Sequence, residues 1–337
     1  MDRCQWTDVL LEIGGGATAT GSAHRSKFVV FYVHGWKHNS APADSDLQNF
    51  TALVAKLTDA KKNSWQDVVG VFIGWPGASS PVPGLKNLTF WDRKNAADRA
   101  IAVSNVTKLL GAAANIKRRR SDPKDFITAI GHSFGARILF SSVAPVLLHN
   151  QSMAHPGGHG VYDAFYGAAN LTILLNPAFE ASRFSAFNSN RRIQEQYNRA
   201  QEPTLLTIST SNDYPTRFAF SAGQLLTGRW SERERTTLGN YGDYVTHTLR
   251  KTASAPQQLA DARWFDQFCE KTKNERGNEE TLCLTRTAQE AQPGNPFLVA
   301  RTDGTILNGH NGIWKDTFQT WLIKFIEATE LAQRQQK

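Results

Sequence analysis

Apolar and polar residues follow one another in blocks that predict strands alternating with helices. Residues 27–33 (KFVVFYV) form a nearly continuous run of strand-forming residues, which is typical of a strand buried on both faces. Comparable runs predict strands at 68–73, 125–130, 171–175, 204–209 and 297–300. Helical periodicity predicts helices at 44–57, 92–116, 136–148, 190–200 and 313–332. This alternation favours an α/β protein with a doubly wound, mostly parallel sheet.

The pattern weakens between residues 214 and 292, where polar stretches alternate with aromatic residues. We interpret residues 214–295 as a long insertion, or cap, that comes before the last strand and packs over the carboxyl edge of the sheet. A chain of 337 residues can bury one large core. We therefore expect a single domain, 1–337, with this cap inside it.

The charge balance favours anionic partners but does not identify one. The chain carries 38 Lys and Arg residues against 30 Asp and Glu residues, a net charge of +8. These charges are scattered, and the tight run at 117–120 (KRRR) ends a predicted helix, where cations suit the helix dipole. We predict no nucleic-acid partner, and the charge is compatible with peripheral contact with a membrane.

Neither a membrane-spanning segment nor a secretory signal is visible in the sequence. No apolar run reaches about 18 residues, and residues 1–4 (MDRC) are not followed by an apolar region. We therefore predict a cytoplasmic location. Cys269 and Cys283 either bridge a surface hairpin in an oxidising compartment or remain two thiols, and their spacing does not resemble a zinc site.

Residues 131–135 (GHSFG) match the G-x-S-x-G pattern of a nucleophile elbow. A predicted strand precedes this motif and a predicted helix follows it, as the elbow requires. The turn is so tight that side chains two residues before and after the serine would clash, which explains the glycines. Ser133 is therefore the predicted nucleophile.

A serine nucleophile needs a histidine base and an acid that orients the base. His310 lies in a loop between the last predicted strand and the last helix, so we favour it over His247, which lies in the insertion. Asp213 follows the strand at 204–209 and is the favoured acid. Glu180, after the preceding strand, is the alternative acid.

The negative oxygen of a tetrahedral intermediate needs backbone N–H donors. One donor is expected from Phe134, directly after the nucleophile, and the other from Trp36, in the loop after the first buried strand. The residues expected to line the substrate pocket are His34, Gly35, His38 and Trp75.

Taken together, these features resemble the serine esterase and lipase branch of the α/β-hydrolase superfamily. The resemblance rests on residues 28–39 (FVVFYVHGWKHN), 131–136 (GHSFGA) and 174–178 (LLNPA), with Asp213 and His310. It implies the α/β-hydrolase fold and cleavage of carboxylic esters through an acyl-enzyme, with no metal and no organic cofactor.

Three functions are compatible with this resemblance. The first is an esterase or lipase that acts on a small-molecule ester or a lipid. The second is a phospholipase, thioesterase or acyltransferase that uses the same triad. The third is a hydrolase-like binding protein without catalysis, because a fold does not fix a function.

Overall fold

The structure, a computed structural model, contains one sheet of nine strands within the residues that it describes. Those residues are 3–15, 25–36, 38–75, 90–102, 104–154, 161–189, 196–213, 231–253, 262–274, 276–287 and 293–335. The strands, numbered along the chain, are β1 (Ser26–Val33), β2 (Gln66–Ile73), β3 (Phe126–His132), β4 (Val161–Tyr162), β5 (Leu171–Leu175), β6 (Gln196–Tyr197), β7 (Leu205–Thr210), β8 (His247–Thr252), β9 (Gln267–Lys273), β10 (Glu279–Arg286) and β11 (Phe297–Thr302).

The order of strands in the sheet is β2-β1-β3-β5-β7-β11-β8-β10-β9. Neighbours from β2 to β8 run parallel, whereas β10 is antiparallel to both β8 and β9. β4 and β6 form a separate parallel pair. The predicted α/β class with a mostly parallel sheet is therefore confirmed.

Helices cover both faces of the sheet. They are α1 (Arg3–Gly14), α2 (Ser45–Lys61), α3 (Phe90–Ala102), α4 (Asn105–Arg120), α5 (Phe134–Met153), α6 (Ser185–Ser189), α7 (Glu232–Arg235) and α8 (Asp316–Arg334). Short 3₁₀ turns lie at Ala181–Phe184, Leu238–Asn240, Gly242–Tyr244 and Gly312–Trp314. Within the described ranges, no helix is both long and apolar enough to cross a membrane.

Every residue of β1 is buried, because alternate side chains enter two different cores. Val29, Phe31 and Val33 pack in the core that contains α4 and α5. The even-numbered neighbours, such as Tyr32, pack in the core that contains α2 and α8. Fully burying an aliphatic or aromatic side chain contributes about 1.5–3 kcal/mol, so β1 joins the two cores on either side of the sheet.

The expected cap needs correction where the structure describes it. Instead of packing over the carboxyl edge, residues 247–286 contribute β8, β9 and β10, which extend the sheet beyond β11. Leu249, Leu282 and Leu284 are fully buried, while charged residues on the exposed positions make the segment polar on average. Residues 214–230, 254–261, 275 and 288–292 of this segment lie outside the described residues.

Two predicted helices also differ from the structure. The helix expected at 92–116 is divided into α3 and α4, and Ser104, directly before α4, has a left-handed backbone with φ of 58°. The helix expected at 190–200 is wrong over its described part, where Gln196–Tyr197 form β6. Residues 190–195 lie outside the described residues.

Candidate active site

The strand order creates a crevice at the carboxyl ends of β1 and β3. These strands are neighbours, but the chain proceeds from β1 outward to β2 and from β3 in the opposite direction to β5. Ligands of open α/β sheets bind at such a switch point. The loop at residues 34–36 follows β1, and Ser133 follows β3, so both lie at this crevice.

Ser133 occupies a sharp turn between β3 and α5. Its backbone has φ of 56° and ψ of −120°, a region that a non-glycine residue adopts only under strain of about 1–3 kcal/mol. A Cβ on Gly131 would lie 2.7 Å from the Ala136 Cα, and a Cβ on Gly135 would overlap the carbonyl oxygens of Val33 and His34. Both glycines are therefore needed for the close approach of α5 to the sheet.

His310 contacts both of the other residues of the predicted triad. Its Nε2 lies 2.7 Å from the Ser133 Oγ, and its Nδ1 lies 2.7 Å from the Asp213 Oδ2. A carboxylate only accepts, so Nδ1 carries a proton and donates it to Asp213. In the neutral ring, Nε2 then accepts a hydrogen bond from the Ser133 hydroxyl.

The loops that carry Asp213 and His310 are connected by hydrogen bonds beside the predicted triad. Asn212 precedes Asp213, and its Oδ1 accepts the Gly309 N–H at 3.1 Å and the Thr210 hydroxyl at 2.7 Å. Gly309 has φ of +72°, which a glycine adopts without steric cost. These contacts keep His310 close to Asp213, whose side chain is fully buried.

The alternative acid and the alternative base lie elsewhere. The Glu180 carboxylate accepts from Arg137 Nη1 at 2.8 Å and from Arg183 Nε at 3.0 Å, so its charge is balanced by arginines. His247 is buried in β8, where its Nδ1 contacts the Thr246 hydroxyl at 2.8 Å. Neither residue makes a described contact with Ser133 or His310.

The predicted oxyanion donors border the serine from two elements. Phe134 is the first residue of α5, and the N–H groups of a first helical turn have no acceptor within their own helix. A Cβ on Gly35 would lie 3.2 Å from the Ser133 Cβ, so the backbone of residues 34–36 passes directly beside Ser133. Trp36 belongs to this segment.

Two of the expected pocket residues fix the loop after β1 from inside the protein. His34 is fully buried, its Nδ1–H donates to the Gly35 carbonyl at 2.8 Å, and its Nε2 accepts the Trp75 N–H at 3.1 Å. The Trp75 indole donates to the His34 carbonyl at 2.7 Å. Burial lowers the pKa of His34, which keeps the ring neutral as the Trp75 contact requires. Both side chains therefore hold the loop in place.

His38 attaches the same loop to helix α2. Its Nδ1 lies 3.1 Å from Asp44 Oδ1. Asp44 caps α2 by accepting the Asp46 N–H at 2.9 Å, and it also accepts the Asn39 N–H at 3.0 Å. The cap thus fixes the chain just after Trp36.

Sequence reasoning missed two residues that contact the backbone of His310. His132 and Asn176 both point side-chain nitrogens at the His310 carbonyl. A signal was present, because each is a polar residue at the carboxyl end of a buried strand. Without the strand order, however, their common target could not be identified.

The described residues contain no group of three or more His, Cys, Asp or Glu side chains that could hold a metal ion. A cavity of 590 Å³ lies at the opposite, amino edge of the sheet and is lined by Asp122, Asp125, Asn170 and the end of α8. It contains no residue of the triad, so it is separate from the candidate active site.

Comparison with known proteins adds little to this geometry. No protein-family model and no curated protein match the chain. Among solved structures, the chain is similar to phospholipase PlaB from Legionella pneumophila in complex with thio-NAD, at 13% identity and a TM-score of 0.33. The match covers 92% of this chain and 61% of the phospholipase chain, which is less than two thirds of its length.

Proposed function

We propose that this protein is a serine hydrolase of the α/β-hydrolase type that cleaves carboxylic esters, with Ser133 as the nucleophile. The observation that carries the proposal is the position of His310 between two partners. One ring nitrogen is 2.7 Å from the Ser133 hydroxyl and the other is 2.7 Å from the Asp213 carboxylate. This is the arrangement that general-base activation of a serine requires.

In the proposed acylation step, His310 Nε2 takes the proton of Ser133 as Oγ attacks the ester carbonyl carbon. Asp213 stabilises the resulting imidazolium through the hydrogen bond to Nδ1. The tetrahedral intermediate collapses when the bond to the leaving oxygen breaks, and His310 donates its proton to that oxygen. The products of this step are an alcohol and an acyl group on Ser133.

Water completes the proposed cycle. His310 takes a proton from water as the water oxygen attacks the acyl carbonyl, and then returns the proton to Ser133 Oγ as the acid is released. In both steps the backbone N–H groups of Phe134 and Trp36 are the proposed donors to the oxyanion. Loss of one such donor lowers turnover on the order of 10²–10³-fold.

The substrate is proposed to be a small-molecule ester or a lipid. A net charge of +8 favours anionic surfaces, which gives the phospholipase alternative its support. A chain-length series of nitrophenyl esters, assayed with and without anionic vesicles, separates these substrates. A thioester and an acyl-acceptor alcohol in the same panel report thioesterase and acyltransferase activity.

The decisive test compares Ser133→Ala with Ser142→Ala. Ser142 lies further along α5, where its hydroxyl contacts the Ile138 carbonyl, so it is a matched serine outside the triad. We expect Ser133→Ala to remain folded while losing nitrophenyl ester turnover and labelling by a fluorophosphonate probe. Ser142→Ala should keep both.

Two outcomes contradict the proposal. Turnover retained by Ser133→Ala means that another nucleophile acts. Absence of both labelling and turnover in the unmodified protein, over the whole ester panel, supports a binding protein without catalysis.

A further inference from the structure

The backbone carbonyl of His310 accepts two side-chain hydrogen bonds inside the protein. His132 Nε2 lies 3.0 Å from this oxygen, and Asn176 Nδ2 lies 2.8 Å from it. A carbonyl oxygen has two lone pairs, so this pair of donors uses its full capacity. The backbone at His310 is thereby fixed beside the two residues that its ring must reach.

Asn176 connects the histidine loop to the strand that leads to the acid. Its N–H donates to the Ile208 carbonyl at 2.9 Å, and its Oδ1 accepts the Thr210 N–H at 3.0 Å. Both of these partners lie in β7, which ends just before Asp213. Asn176 is fully buried and has φ of 43°, a conformation that asparagine tolerates better than most residues.

His132 makes its contact from the residue directly before the nucleophile. It is 1% exposed, and its ring centroid lies 4.8 Å from that of His310. Because a carbonyl only accepts, Nε2 must carry the proton. Nδ1 has no hydrogen-bond partner among the described residues. The hydrogen bond from Nε2 to the His310 carbonyl is therefore the one that this buried ring makes within the described structure.

The protonation state of His132 suits this arrangement. Burial, followed by the nearby His310, lowers the pKa of His132 to about 3. The ring is therefore neutral at neutral pH. A charged ring in this place would oppose the positive charge that His310 acquires during catalysis.

We propose that His132 and Asn176 are positioning residues that hold the base of the triad through its backbone carbonyl. This inference rests on the proposed ester hydrolysis, because it assigns His310 as the base. The two residues link β3, β5 and β7 to the loop after β11. Displacement of a reacting group by about 1 Å can lower the rate on the order of 10²-fold, so the rate should be sensitive to both donors.

The test compares His132→Phe, which keeps a ring without a donor, with His132→Gln, which keeps an N–H donor near the position of Nε2. We expect His132→Phe to lower kcat for a nitrophenyl ester on the order of 10–100-fold with KM within about twofold. His132→Gln should recover most of this loss. The rate of fluorophosphonate labelling should follow kcat in both variants.

His247→Phe provides the matched control. His247 is equally buried, and burial also lowers its pKa to about 3, but it contacts Thr246 rather than His310. It should change the melting temperature without changing kcat. Asn176→Asp repeats the test independently, since it keeps an acceptor for Thr210 while removing the donor to His310, and it decides the matter if His132→Phe does not fold.

The inference is overturned if the donor-free variants that fold keep the kcat of the unmodified protein, or if His132→Gln falls as far as His132→Phe. Ser133→Ala separates this result from failure of the function itself. If Ser133→Ala is inactive and the His132 and Asn176 variants are fully active, only the positioning role is wrong. If Ser133→Ala is active, the proposed chemistry is wrong.

Discussion

Ser133 Oγ lies 2.7 Å from His310 Nε2, although 177 residues separate the two along the chain. The contact forms because β3 and β11 run parallel in one sheet and end at the same edge. The predicted acid, Asp213, follows a third strand, β7. The geometry of the proposed triad therefore depends on β3, β7 and β11 together.

Replacing the acid gives the first prediction. Asp213→Asn should lower kcat/KM for a nitrophenyl ester on the order of 10⁴-fold, because an amide no longer holds His310 in the tautomer that accepts the serine proton. The measurement is steady-state turnover of the purified variant. Circular dichroism should show that the fold is retained.

Glu180→Gln is the matched control, because Glu180 is the alternative acid. It should keep kcat within a few-fold of the unmodified protein. It should lower the free energy of unfolding by about 1–3 kcal/mol, because the buried side chain of Arg137 loses one carboxylate partner and keeps the other, Asp98. If Glu180→Gln abolishes turnover while Asp213→Asn retains it, the acid has been assigned to the wrong residue.

The elbow glycine gives the second prediction. Gly135→Ala should lower the free energy of unfolding by about 1–3 kcal/mol and lower kcat at least tenfold. The reason is that the new Cβ meets the carbonyls of Val33 and His34 and displaces α5. Gly111→Ala places a Cβ in open space within α4. It should raise the free energy of unfolding by about 0.5–1 kcal/mol and leave kcat unchanged. Urea unfolding and turnover measure both effects. If Gly135→Ala is as stable and as active as Gly111→Ala, the close approach at Gly135 is contradicted.

Two buried histidines predict how stability depends on pH. Burial lowers the pKa of both His132 and His247 to about 3, whereas an unfolded chain protonates each ring below about 6.5. The unfolded state therefore binds more protons as the pH falls from about 6.5 toward 3, and the folded state loses stability over this window. Within this window each histidine should lower the free energy of unfolding by about 1.4 kcal/mol for each pH unit of acidification.

Urea unfolding between pH 7 and pH 4.5 measures this slope. His247→Gln should make the free energy of unfolding fall less steeply with acidification, by the contribution of one histidine. His149→Gln, on the exposed surface of α5, controls for the substitution itself. An unchanged slope in His247→Gln would show that this ring is already charged in the folded protein.

The hairpin of β9 and β10 gives the fourth prediction. Cys269 and Cys283 face each other across these strands and are joined by a disulfide with a sequence separation of 14. Reducing a bond that closes a loop of this size should lower the free energy of unfolding by about 2–3 kcal/mol. Ester turnover should persist, since the hairpin lies at the far end of the sheet from Ser133.

The control in that experiment is Cys4→Ser, which removes the third cysteine and leaves the bond between Cys269 and Cys283 intact. This variant should lose the same stability on reduction as the unmodified protein. A melting temperature that does not respond to reductant would contradict a disulfide at this position. Disulfides persist in oxidising compartments and are rare in the cytosol. The cytoplasmic location therefore stays a prediction, and a melting temperature that falls on reduction would count against it.

The sequence predicted strands such as β1 and β3 because their pattern is unambiguous. Both strands are buried along their length and mostly apolar, since both faces of each enter a core. The outer strands were missed for the opposite reason. β10 has a buried stretch of only three residues, 282–284, between charged and polar residues, and it follows a segment of the chain whose average composition is polar.

The break between α3 and α4 was also beyond sequence reasoning. Apolar periodicity continues through it, and the residue with the left-handed backbone is Ser104 rather than a glycine. The nucleophile motif could be read locally, and the order of elements suggested the acid and the base. The contacts of His132 and Asn176 with His310 depend on strand order, which no local pattern encodes.

The place of β11 has a consequence for how the protein matures. Among the described strands of the sheet it comes last along the chain, yet it lies between β7 and β8 in the interior of the sheet. Before it docks, Ser133 after β3 has no base on the proposed chemistry, and β8 has no partner on the side away from β10. On the proposed chemistry, a nascent chain is therefore inert, and the onset of hydrolysis reports that the final strand has been inserted.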